Sequence, residues 1–146
     1  MKKSGTTAPA RKTGADPADL KGARLRFVEA QLERERGSRA AVNVKLALGD
    51  EEFEGRAEGV GLEVVELRLA AQATLSAIAA AVGGEEYALL GIKKLRAFDA
   101  DVVLVVLRDP LGNGQRFVGA VPVRSTTIEG AAAAVLNALN RTLGSA

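Results

Sequence analysis

Apolar positions along the chain change period in a fixed order, and that order occurs twice. Val42, Val44, Leu46 and Leu48 alternate with Asn43, Lys45 and Ala47, the period-2 pattern of a strand with one buried face. Leu67, Ala71, Leu75, Ile78 and Val82 then follow the 4, 4, 3, 4 spacing of one helical face. In the second half, Val102 to Leu107 is apolar at every position, which predicts a strand buried on both faces. Ile128, Ala132, Leu136, Leu139 and Leu143 repeat the helical spacing. Helices are predicted over residues 63–82 and 127–143.

The correspondence is residue by residue. At an offset of 61, Ala70, Ala71, Ala73 and Ala77 fall on Ala131, Ala132, Ala134 and Ala138, and Leu75 falls on Leu136. Upstream, the triplets Phe53-Glu54-Gly55 and Phe117-Val118-Gly119 match at an offset of 64, so the second connection into a helix is three residues shorter. Turn residues at 49–51 and 109–114 separate each triplet from the strand before it. A further run precedes each hairpin: Tyr87 to Phe98, which reads as a strand, and Leu25 to Glu35, which is ambiguous. Asp16-Pro17 and the spacing of Leu25, Val28 and Leu32 favour a helix there, whereas the repeat favours a strand. The repeat is followed, because tertiary context overrides propensities of this size.

The expected fold is α+β, with two β-β-β-α units at 24–84 and 85–146 forming antiparallel sheet and two helices packed on one face. Gly83-Gly84 and Gly144 are placed to end the helices. Thr126 and Glu129 have the spacing of a capping box, which gives Glu129 a structural role. The stripes Ala70, Ala73, Ala77 and Ala131, Ala134, Ala138 invite close approach of another backbone, from the chain's own helix or sheet, a second subunit, or around a ligand.

Composition narrows the chemistry. A chain of 146 residues suits one domain. It has no cysteine and no histidine, which removes thiolate and imidazole metal sites, disulfides and every His-dependent triad. Four Phe, one Tyr and no Trp leave little for stacking bases. Of the net charge of +2, residues 1–24 supply six cations against two acids, so the remainder is net negative. Residues 1–23 have too few large apolar side chains to offset the entropy of ordering, and are predicted to form a disordered basic arm. No apolar stretch follows its lysines as a secretory signal would require, and no uninterrupted apolar run reaches the roughly 18 residues of a membrane span. A cytoplasmic setting without membrane partners is expected.

Several clusters are weighed and set aside. Asp50-Glu51-Glu52 and Glu85-Glu86 sit in turns, where carboxylates stay ionised and solvated. Asp99 and Asp101 offer too few oxygens for calcium. Gly112-Asn113-Gly114 joins two strands and opens no helix, so it lacks the N–H array of a phosphate site. The loops that do open helices hold the candidate ligand residues: Gly59 and Gly61 before the first, Arg124, Ser125, Thr126 and Thr127 before the second. Free N–H groups there suit a small carboxylate or other anion.

A β-β-β-α order also occurs in double-stranded-RNA-binding domains. These need lysines at the start of the last helix, where this chain has Thr127, Ile128 and Glu129, with Val64, Val65 and Glu66 in the first unit. Lys93, Lys94 and Arg96 are its one compact basic strand cluster, and the folded part is net negative, so nucleic acid is disfavoured.

Phe98-Asp99-Ala100-Asp101, Phe117-Val118-Gly119, Thr127-Ile128-Glu129-Gly130-Ala131, Leu136-Asn137-Ala138-Leu139-Asn140 and the turn Gly59-Val60-Gly61 resemble the C-terminal regulatory domain of 2-isopropylmalate synthase, here without a catalytic barrel. The resemblance spans residues 25–143 and implies a duplicated fold, pairing of subunits and an amino-acid ligand between them. Where that family continues Pro-Val-Asp-Ala this chain has Leu62-Glu63-Val64-Val65, and the second loop runs from Ala120 to Thr127 without the family's Gly-rich, Asp-containing entry. Leucine binding therefore does not transfer. The expectation is a non-enzymatic regulatory, small-molecule-sensing or dimerisation module with no cofactor or metal. It would be a homodimer with a small carboxylate or amino-acid ligand. The alternatives are a nucleic-acid-binding domain and a purely structural interaction domain.

Overall fold

A computed structural model describes residues 24–111 and 114–144. The basic arm at 1–23 and the Gly112-Asn113 part of the predicted turn lie outside the described residues. The elements are β1 (Leu25–Glu35), β2 (Arg39–Leu48), β3 (Glu51–Val60), α1 (Glu63–Val82), β4 (Ala88–Ala97), β5 (Ala100–Arg108), β6 (Arg116–Pro122) and α2 (Thr127–Gly144). A single 3-10 turn, Arg36–Ser38, joins β1 to β2. The chain thus builds two β-β-β-α units, whose strands form two separate antiparallel sheets, β1-β2-β3 and β4-β5-β6.

Residues 25–35 are a strand because a bulge explains their helix-like spacing. Pairing with β2 shifts between Phe27 and Glu29, leaving Val28 as the extra residue and moving the inward positions from Leu25 and Phe27 to Ala30 and Leu32. β4 shifts likewise between Leu89 and Gly91, leaving Leu90 over. The bulge is part of the repeat.

The inward residues of the central strands, Val42, Val44 and Leu46 in β2 and Val103, Val105 and Leu107 in β5, are fully buried. Each such side chain contributes about 1.5–3 kcal/mol relative to exposure. The helices cover these faces, touch each other, and each reaches the first strand of the other unit, so one core serves both repeats.

The F-x-G glycines set how close strand and helix come. A Cβ on Gly55 would overlap the Ala73 carbonyl oxygen and lie 2.7 Å from the Ala77 nitrogen. A Cβ on Gly119 would overlap the Ala134 carbonyl oxygen and lie 2.8 Å from the Ala138 nitrogen. Backbone packs on backbone through Gly opposite Ala, and this is what the alanine stripes are for. α1 is long and apolar enough by length and composition to cross a membrane, but most of that stretch is buried in the fold.

Both helices start at the same end of the molecule. Lys94 on β4 reaches Glu63 at the start of α1, and its register partner Val103 lies against Gly130 in the first turn of α2. At the other end Asn140 clamps the start of β1: its Oδ1 accepts from Leu25 N–H (3.3 Å) and its Nδ2 donates to the Leu25 carbonyl (3.2 Å). Asn137 similarly accepts from Ala120 N–H (3.1 Å). α1 ends at Gly83, whose φ of 71° lets its N–H reach the Ala79 carbonyl.

One expectation about depth changes. β5 is the central strand of its sheet, but only its inward side is buried. Val102, Leu104 and Val106 face away from the helices and are partly open to solvent.

Candidate functional site

Placing both helix N-termini at one end brings the candidate loops to that end, where their backbone groups are largely committed. Gly61 N–H donates to the Ser38 carbonyl at 2.7 Å, tying the loop to the 3-10 turn, and Leu62 N–H donates to the Val60 carbonyl. Gly59 packs under α1; a Cβ there would sit 3.2 Å from a Leu69 methyl and 3.4 Å from a Val65 methyl. In the second loop Val123 N–H donates to the Asp101 carbonyl at 2.8 Å. Thr126 Oγ1 accepts from Glu129 N–H at 3.2 Å, the hydroxyl half of the capping box. Thr127 is half-buried, whereas Arg124 and Ser125 are exposed. Arg124 makes no ion pair among the described residues, so it and Ser125 are the candidates with side chains open to a ligand.

Charge separates the two loops. Glu66, one turn into α1, is only 5% exposed. Its Oε1 lies 3.2 Å from Arg34 Nη2, and its Oε2 is buried without a partner among the described residues. With Glu63 beside it, the start of α1 carries two carboxylates, a favourable place for them in the helix field but a repulsive one for an anionic ligand. The equivalent position in α2 is Thr127, and Arg124 stands just before it. The first loop's two carboxylates are matched by Arg34 and Lys94, whereas Arg124 before α2 has no such pairing among the described residues, with Glu129 the one acid in the first turn of that helix. Sequence reasoning considered Glu66 only as a missing lysine. The available signal was an acid on an otherwise apolar helical face.

The basic cluster does not act as a unit. Strand alternation sends Lys93 outward and Lys94 and Arg96 to the other side, where Lys94 Nζ lies 3.1 Å from Glu63 and Arg96 Nη1 3.4 Å from Asp101. No group of three or more acidic residues among those described could hold a metal ion.

A shallow, open cleft of about 330 Å³ lies at the opposite end, lined by Glu85, Glu86, Ala88, Arg108, Asp109, Pro110 and Gly114, and includes none of the predicted residues. Nearby, the Tyr87 ring packs edge-on against Phe117 at 5.6 Å. Burial, and secondarily the Asp109 charge, hold the Tyr87 hydroxyl pKa above its usual 10.0.

The outer faces of the two sheets differ sharply. On the first, Gln31 and Glu33 of β1, Asn43 and Lys45 of β2, and Glu52, Glu54, Arg56 and Glu58 of β3 share the outward register. Arg56 bridges Glu33, Glu35 and Glu58 at 3.0–3.4 Å, and Lys45 lies 3.8 Å from both Glu52 and Glu54. On the second, the same register is occupied mainly by apolar residues, Leu95, Val102, Leu104, Val106, Val118, Ala120 and Pro122, with Lys93, Arg108 and Arg116 as its charged members.

The chain matches no protein-family model and no curated protein.

Proposed function

We propose that the chain is a non-enzymatic, cytoplasmic regulatory module that pairs with a second copy of itself and senses a small carboxylate or amino acid. The observation that carries the reading is the contrast between the outer sheet faces. A repeat dressed for water in one copy and apolar in the other has a surface meant to be covered. The lack of histidine and cysteine and the solvated or structurally paired carboxylates favour binding over catalysis. The resemblance to a regulatory, subunit-pairing domain points the same way.

Within this reading the ligand belongs at Arg124 and Ser125, where a guanidinium stands beside a helix N-terminus and no carboxylate replaces Thr127. A double-stranded-RNA reading is disfavoured because Lys94 and Arg96 are paired with acids. Light scattering on the full chain tests pairing, with a mass near twice 15.1 kDa expected and a monomer at all concentrations contradicting it. A thermal-shift series of amino acids and small carboxylates tests sensing. A stabilising compound is expected to lose its effect in Arg124→Ala, and no stabilisation by any carboxylate would remove the sensing half of the proposal.

A further inference from the structure

We infer that the outer face of the second sheet is where two copies of this chain meet, sheet against sheet about a two-fold axis. The inference locates the surface for the pairing proposed above and rests on that reading.

The first sheet serves as an internal control. Both sheets have the same strand order and the same bulge position, and both carry a helix on the inner side. Facing water, the first copy places Asn43 and Lys45 on its central strand and Glu52, Glu54, Arg56 and Glu58 on its third. The second copy places Leu104 and Val106 where the first has Asn43 and Lys45, and Val118, Ala120 and Pro122 where it has Glu54, Arg56 and Glu58; Val102 replaces an alanine, Ala41, and Arg116 replaces Glu52. Val118 is 52% exposed and Leu90, at the bulge, 38%. Folding does not account for these residues, because the inward set already fills the core. Seven paired positions at about 3.4 Å along three strands spaced about 4.8 Å give a face of about 14 by 24 Å. That is about 340 Å² in plan; even with its side-chain relief and the fully exposed Phe98 in the β4–β5 turn it stays below the roughly 600 Å² per partner of standard interfaces, in the range of weak, transient contacts. A reversible, concentration-dependent dimer follows.

Charge fixes the orientation that a second copy must take on this face. The charged residues in the outward register are Lys93, Arg108 and Arg116, all cations. Arg108 and Arg116 face each other across the ladder, a like-charge pair that is unfavourable unless an acid approaches, and neither makes an ion pair among the described residues. The chain's arm at 1–23 is itself basic and is repelled by this face. A two-fold axis across the strands instead brings the arginine end of one copy over the Phe98-Asp99 turn of the other, supplying an aromatic ring and a carboxylate. Phe98 and Asp99 hold φ of 53° and 63°, the positive-φ pair of a two-residue hairpin turn, readily adopted by Asp and costly for Phe, and Phe98 stands fully exposed at the tip. Aligned face-to-face packing of two twisted sheets is an ordinary geometry for such faces.

Sedimentation equilibrium on the full chain tests this, with Leu104→Glu and Val118→Lys on the face and Lys45→Ser on the first sheet as control. Wild type and Lys45→Ser are expected to dimerise alike. Each face variant is expected to weaken association at least about 30-fold, as burying an uncompensated charge requires, with an unfolding midpoint equal to that of wild type when both are measured at a concentration where wild type is monomeric. If Leu104→Glu lowers that midpoint, the exposed edge-strand change Val118→Lys decides alone. A wild-type dimer whose face variants associate as tightly as Lys45→Ser would overturn the inference while leaving pairing intact. A wild type that stays monomeric would overturn both.

Discussion

At Gly55 and Gly119 the absence of a Cβ sets the strand-to-helix distance, since an added methyl would run into the backbone of Ala73 or Ala134. Gly55→Ala and Gly119→Ala are each expected to cost about 2–3 kcal/mol or more in urea unfolding, whereas Gly91→Ala, with nothing within 4 Å, is expected to change stability by less than about 0.5 kcal/mol. Equal effects at all three would contradict the close-packed reading. Asn140→Ala strips both Leu25 backbone groups of their partner and is expected to cost about 1–3 kcal/mol. Tyr87 is the only tyrosine, so an alkaline absorbance titration reports it alone. Its folded pKa is raised, so its contribution to stability is full below the unfolded value near 10 and fades as pH rises through the higher folded value. Tyr87→Phe is expected to remove that alkaline loss, and a folded-state midpoint at or below 10 would contradict the buried hydroxyl.

Among the elements, the helices and the inward strand faces were legible because burial imposes a period on the sequence. Residues 25–35 were ambiguous because a bulge at Val28 breaks the alternation, and a local window cannot tell one skipped residue from a helical step. The matching bulge at Leu90 was hidden inside an apolar run. For β5 the pattern showed two apolar faces but not what covers the second. The candidate loops were legible as helix openings, yet the use of Gly61 N–H by Ser38 depends on a partner over twenty residues away. Nor does the sequence announce Arg34 reaching from β1 to Glu66. That pair buries a carboxylate with one oxygen unmatched, an arrangement whose desolvation cost offsets its attraction. Glu66→Leu is therefore expected to leave the thermal midpoint unchanged or raise it; a large drop would show that the pair holds β1 to α1.

Across the whole molecule, duplication gives one core from two repeats, with the termini of the fold joined where Asn140 of α2 meets Leu25 of β1. What differs between the repeats lies outside the core: the acid-rich start of α1 against Arg124 before α2, and the charged outer sheet against the apolar one. That divergence is what the proposed function rests on, which assigns a ligand to the second loop and a partner to the second sheet. Because the chain has no cysteine, a spin label can be placed at one chosen position, and pulsed dipolar spectroscopy can report the distance between copies. The pairing account predicts that labels at Lys93→Cys, on the apolar face, lie within about 30 Å of each other, given sheets packed about 10 Å apart, while labels at Glu54→Cys on the first sheet lie much farther apart. No dipolar coupling at position 93, or a shorter distance at position 54 than at 93, would contradict it.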